Sequence, residues 1–263
     1  MMKKTMLIVT SLLMMSLYGQ TQSESNENDK QTYQVSVNKG KILINLGKAT
    51  IEGYDGKEIV FSKDNSSKSV DERAKGLRAV NAMGLEDNTG LGINVIEKNG
   101  TVEVNQLKRI SPPNIKILVP KNMLVSFNHQ SQYGGTVTFK NIESEIDAST
   151  TYNNMVFENV TGPTTIGSVY GSIDAKFSTN IKSPLSVVSI YGNVDVSLPK
   201  TAKANVKVTT NYGEILVAPE LPLKIEKKLS EEMFNDQLNA TLNGGGNTYN
   251  FRSDYGKVYL RAL

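Results

Sequence analysis

The sequence predicts an all-β protein: a single-stranded right-handed parallel β-helix or solenoid with a modified N-terminal part and one short helix. Three observations predict it. A Tyr-Gly pair recurs at Tyr133, Tyr170, Tyr191, Tyr212 and Tyr255, with Tyr152-Asn153 as a variant. The markers Gly135, Asn153, Gly171, Gly192, Gly213 and Gly256 stand 18, 18, 21, 21 and 43 residues apart, and periods near twenty residues mark solenoids. Two stretches of period-two alternation flank the markers at fixed offsets, so each repeat carries two short strands with one buried face.

Taken in order, the chain opens with Lys3 and Lys4, an apolar run from Met6 to Leu17, and Gly19. That is a secretory signal peptide over residues 1–19, cleaved after Gly19, and its run is shorter than the ~20 residues of a spanning helix. No membrane span is expected after cleavage. Residues 20–31 read as a disordered polar spacer, and residues 32–263 as one solenoid domain. Within it, Tyr33 to Val37, Lys41 to Leu46, Ala49 to Glu52 and Glu58 to Phe61 alternate as strands, with Asp55-Gly56 as a hairpin-type turn. Ser69 and Glu72 form a capping box for a helix from about Val70 to Met83, which Gly84 closes. Strands resume at Gly92 to Glu97, Thr101 to Asn105 and Asn114 to Val119, and the clear repeats run from about residue 114.

In the repeats, Val137, Met155, Ile173, Val194, Ile215 and Val258 form one apolar column. Ile146, Thr164, Leu185, Val206 and Tyr249 form the corresponding column of the other strand. Stacked coils bring equivalent residues ~4.8 Å apart, and right-handed coiling is the rule for parallel crossovers. The marker column is expected to hold positive φ at a corner, with Asn153 standing in for glycine. Asn141, Asn159 and Asn180 are expected to form a corner ladder. The tyrosines should stack, and Thr150, Ser168, Ser189, Thr210 and Ser253 should align as a hydroxyl column, all in structural roles. The doubled last interval makes residues 219–247 an insertion or a degenerate coil, with a short helix as an option over Leu229 to Leu238 and a flexible return at Asn243 to Asn247.

The chain has no cysteine, which excludes disulfides, thiolate metal sites and a lipid-modified cysteine. Its formal charge is +3, and Lys3 and Lys4 carry two of those charges, so the processed chain is nearly neutral. Basic and acidic residues are interleaved, without the basic stripe that a nucleic-acid partner requires.

The segment from Ala49 to Ile59, the Ile115 to Pro120 strand, the serial Tyr-Gly strands and the Leu242 to Gly246 run before the last Tyr-Gly strand carry a resemblance. Together they resemble the putative-adhesin family of exported bacterial proteins of unknown function, over most of the processed chain. The resemblance implies a right-handed β-solenoid, envelope or surface placement and adhesion-like binding. It transfers no active-site residue.

Chemistry is sparse. His129 is the only histidine and has no nucleophile context beside it. Asp174 and Asp195, 21 residues apart in one outward column, are the one stacked carboxylate pair and the weak candidates for a metal, eased as surface residues by Lys176 or Lys207. Gly244 to Gly246 lack the ending of a phosphate loop. Val156, Leu216 and Tyr259 share the aspartate column as potential seeds of a binding patch. The reading is an exported, non-catalytic, adhesin-like binding or scaffold protein of the periplasm, cell surface or extracellular space. It needs no cofactor, and its partner is a glycan or cell-surface protein. The alternatives are a carbohydrate-active β-helix enzyme and a self-associating structural solenoid.

Overall fold

The computed structural model describes residues 31–63, 72–182, 184–226 and 236–263. The signal peptide, nearly all of the spacer and the start of the expected helix lie outside the described residues, as does 227–235 within the 219–247 excursion. The N-terminal strands are β1 (Gln31–Val35), β2 (Gly40–Asn45), β3 (Ala49–Tyr54), β4 (Ile59–Lys63), β5 (Ile93–Lys98), β6 (Thr101–Gln106) and β7 (Ile115–Pro120). The repeats supply β8 (Met123–His129), β9 (Val137–Lys140), β10 (Ile146–Thr150), β11 (Met155–Val160), β12 (Thr164–Ser168), β13 (Ile173–Phe177), β14 (Leu185–Ser189) and β15 (Val194–Leu198). The C-terminal strands are β16 (Ala204–Thr210), β17 (Ile215–Val217), β18 (Leu223–Ile225), β19 (Asp236–Leu242), β20 (Asn247–Ser253) and β21 (Val258–Ala262).

They form two large, mostly parallel sheets, ordered β1-β4-β7-β3-β9-β11-β13-β15-β21-β17 and β18-β19-β16-β20-β14-β12-β10-β8-β2-β6-β5. From β8 to β15 the chain alternates between them, and each strand from β8 to β13 pairs in parallel with the strand two places on. The expected registers are present, with Val137, Met155, Ile173 and Val194 side by side, and likewise Ile146, Thr164 and Leu185. Alternate residues of both sheets enter one apolar cluster. In it Phe139 and Phe157 stack with centroids 4.5 Å apart, as like-on-like columns require.

Coil order departs from sequence order at both ends. β20 lies between β14 and β16, and β21 between β15 and β17. The 43-residue interval therefore arises because the chain lays down β16 and β17 one place too far along. It then adds β18 and β19 antiparallel at the edge of the second sheet, and returns to fill the gap. Positions 236–238, where the short helix was an option, are strand. The first coil is enclosed in the same way, with β2 between β6 and β8 and β3 between β7 and β9.

Three expectations need correction. Asp55-Gly56 does not close a hairpin, because β7 lies between β3 and β4. The hairpin of this region joins β5 to β6 through Asn99-Gly100, both at positive φ (53° and 73°), the geometry a two-residue turn demands. The helix expected up to Met83 is a single 3-10 turn at Glu72–Ala74 within the described residues. Its intended apolar face has nothing to pack on, with Leu77 and Met83 76% and 77% exposed, and Gly76 at φ +77° breaks the run. Finally, Gly135, Gly171, Gly192, Gly213, Gly256 and Asn153 do not hold positive φ; that conformation belongs to Asn141, Asn159 and Asn180, at 54°, 55° and 62°.

Candidate functional site

Gly171, Gly192, Gly213 and Gly256 are required by close approach to a neighbouring backbone. A Cβ on Gly171 would lie 1.8 Å from the Asn153 carbonyl oxygen, on Gly192 2.2 Å from that of Gly171, and on Gly213 1.8 Å from that of Gly256. The turn before each marker is fixed by the buried hydroxyl column. Ser168, Ser189, Ser253 and Thr210 accept the N–H of the marker three residues on, at 2.9 to 3.0 Å. Ser189, Ser253 and Thr210 also donate to a marker carbonyl of the adjoining coil. Backbone bonds from Tyr170, Tyr191 and Tyr255 to that coil complete the clamp.

With the turns held alike, the tyrosine before each marker projects from the same corner. Tyr152, Tyr170, Tyr191, Tyr255 and Tyr212 stack in that order, with centroids 5.1, 5.0, 4.9 and 5.0 Å apart and planes within 9° to 13° of parallel. These residues are 45% to 67% exposed. Their faces cover one another, so the accessible parts are ring edges and hydroxyls. The described phenylalanines are all buried, which makes this row the main aromatic surface among the described residues. Tyr133, expected in the same row, is outside it. Its turn takes six residues from His129 to Gly135, where Thr150 to Asn153 takes three, and its ring meets the Arg109 guanidinium at 5.6 Å.

His129 is buried and in register with Thr150, so it occupies the hydroxyl column of its coil. Its Nδ1 lies 2.6 Å from Asn153 Oδ1, and Asn153 Nδ2 donates to the carbonyls of Gly47 and Gly135 at 2.8 and 2.7 Å. With the amide nitrogen committed to two carbonyls, Oδ1 is the acceptor and Nδ1 carries the proton. Asn153 is thus present for its amide, which ties three coils together. The signal for His129 was in the sequence, since it stands 21 residues, one repeat, before Thr150. Gly47 was legible in the same way, two residues before Ala49 as Gly135 is before Val137.

Asp174 and Asp195 are register partners, as their spacing requires. Asp195 is held by Arg261 in a two-pronged bridge with contacts of 2.7 to 3.0 Å, and the same guanidinium lies 5.3 Å from the Tyr259 ring centre. Lys207, one of the two lysines expected to help, is on the other sheet. Partial burial pushes the Asp174 carboxyl above its ordinary range, and the Asp195 charge adds to that, against the opposing effect of Lys176 and Arg261. A groove of about 460 Å³ runs past Val156, Asp174, Lys176, Asp195 and Arg261. Glu158 lines the same groove but is bridged to Lys140 at 2.8 Å, and no cluster of three or more potential ligands forms among the described residues, where a calcium ion needs six or more oxygens.

No helix among the described residues is long and apolar enough to cross a membrane. No family model matches the chain, and no curated protein does. Among solved structures it is similar to a putative cell adhesion protein of Clostridium sporogenes, at 13% identity and a TM-score of 0.46, over 90% of this chain and 100% of that one. It is also similar to a putative adhesin of Bacteroides fragilis, at 13% identity and a TM-score of 0.37, over 90% and 98%. Overlap at that level leaves the function to be read from this chain's own surface.

Proposed function

We propose that the protein is exported and acts in the cell envelope as a non-catalytic, adhesin-like binding or scaffold protein. Its frame is a right-handed parallel β-solenoid and its contact surface is the tyrosine row. The observation that carries this reading is that five exposed phenols are already ordered by mutual stacking. Tyrosine combines an apolar ring with a hydroxyl, and side chains fixed before binding lose little entropy when a partner arrives. The groups best suited to chemistry are engaged elsewhere: His129 is buried in the coil-tying network and Asp195 is bridged by Arg261. The partner is a glycan or a cell-surface protein that meets a ridge of ring edges and hydroxyls.

The test is a glycan and matrix-protein binding screen with the purified protein. Replacing Tyr170, Tyr191 and Tyr255 by serine is expected to abolish the binding found, while Asp174→Asn with Asp195→Asn leaves it intact. Release of reducing ends or unsaturated products from polysaccharides, lost in the double Asn variant, would replace this reading with the carbohydrate-enzyme one. For export, the intact mass of protein from its native host should lack the first 19 residues. A full-length species would reject it.

A further inference from the structure

The tyrosine row also has a redox chemistry that goes beyond binding. We propose that it is a one-electron oxidation site through which two copies of this chain become covalently joined by tyrosine–tyrosine carbon–carbon bonds.

The chain has neither tryptophan nor cysteine, so phenols are the side chains from which a one-electron oxidant most readily takes an electron. Five of the ten described tyrosines are concentrated in one exposed stack, with centroids 4.9 to 5.1 Å apart. Co-facial rings at that distance share a radical, which lowers the cost of forming it and lets it move along the row.

Geometry selects the partner. Coupling joins the ring carbons next to the oxygen and needs two rings edge to edge. Neighbours in the row are held face to face by their clamped turns, so they cannot adopt that arrangement without leaving the stack. The edges they present outward can meet the edges of the same row on a second copy.

The oxidant is hydrogen peroxide acting through a haem peroxidase. Each of two phenols gives up one electron and its hydroxyl proton, and the two radicals form one carbon–carbon bond. The hydrogen on each coupled carbon then moves through water to its own oxygen, restoring both phenols. Peroxide takes the two electrons and two protons and leaves as two waters. Exposed Met83 consumes peroxide by accepting an oxygen atom, which yields a sulfoxide and no cross-link.

The experiment treats the purified protein with a haem peroxidase and hydrogen peroxide. It follows covalent dimers on denaturing gels and dityrosine fluorescence, and maps the linked peptides by mass spectrometry. Links are expected to join Tyr152, Tyr170, Tyr191, Tyr212 or Tyr255 of one copy to the same set of another. A variant with all five replaced by phenylalanine keeps the stack without the phenols, and its dimer yield should drop to that of the remaining tyrosines. A variant retaining only Tyr191, the other four replaced by phenylalanine, should consume peroxide, after subtraction of the five-Phe rate, at less than one fifth of the wild-type initial rate, because five rings oxidised independently give one fifth. Thermal melts of both variants check that the fold persists. Links mapping equally to Tyr33, Tyr54, Tyr133 or Tyr259, an unchanged yield in the five-Phe variant, or a rate of one fifth or more in the Tyr191-only variant would each overturn the proposal. The binding screen on unoxidised protein scores the adhesin-like reading separately, so either can fail alone.

Discussion

At the scale of single residues, the glycines show how far a sequence marker can be right in position and wrong in cause. The repeat located Gly171, but the constraint there is the neighbouring coil's carbonyl, a contact between chain segments that spacing along one segment does not reveal. Gly171→Ala should therefore cost on the order of 1–3 kcal/mol, as overpacking does. Gly167 is in the same coil, has open space where a Cβ would be and is not at positive φ, so Gly167→Ala should be neutral or stabilising by roughly 0.5 kcal/mol. Equal shifts in denaturation midpoint would contradict the close-approach account. Asp174 gives a pH-dependent prediction. Its folded-state pKa is raised by partial burial and then by Asp195, so the native state holds its proton to higher pH than the unfolded chain. Stability is lost as pH rises out of the ordinary carboxylate range and through the raised value. Asp174→Asn should raise the melting temperature at neutral pH and leave it unchanged in acid, by less than about 1 kcal/mol because solvent screens the pair. A variant that melts lower at neutral pH would show that the carboxylate is stabilising there.

At the scale of elements, strands were legible because each buries one face and alternation records that directly, as in Ile146, Ala148 and Thr150 of β10. The helix expected up to Met83 failed on the opposite ground. A capping box and a plausible apolar face describe what a segment can do alone, whereas a short helix needs a surface to pack on. Asn99-Gly100 was a hairpin signal as strong as Asp55-Gly56, and only the pairing partners distinguish them. The hydroxyl column was legible as a column but not as a clamp. Ser189 is fully buried and joins the Gly192 N–H to the Gly171 carbonyl at 3.0 Å each. Ser189→Ala leaves both groups without that partner and should cost about 1–3 kcal/mol. A calorimetric melt no different from wild type would show that the turns are held by backbone bonds alone.

At the scale of the whole molecule, the continuity of the tyrosine row depends on coil order. Tyr255 bridges Tyr191 and Tyr212 only because β20 and β21 return to lie inside the stack. The regular 21-residue step gave no warning of this, since a coil laid in the next place and one laid a place beyond it bury the same apolar pattern. The same return brings Arg261 beside Asp195, a partner that sequence order concealed. β21 is paired on both sides, so the strand edges left open at this end are those of β17 and β18.

The absence of cysteine makes coil order directly measurable. A plain 21-residue step places Ser186 beside Lys207, whereas the structure pairs Ser186 with Asn250 and Asn250 with Lys207. Adjacent coils are ~4.8 Å apart, within disulfide range, and coils two places apart exceed the ~7 Å limit. Under mild oxidation, Ser186→Cys with Asn250→Cys should form an intramolecular disulfide, and Ser186→Cys with Lys207→Cys should not. The reverse outcome would contradict the interleaved stack and, with it, the unbroken row of five tyrosines.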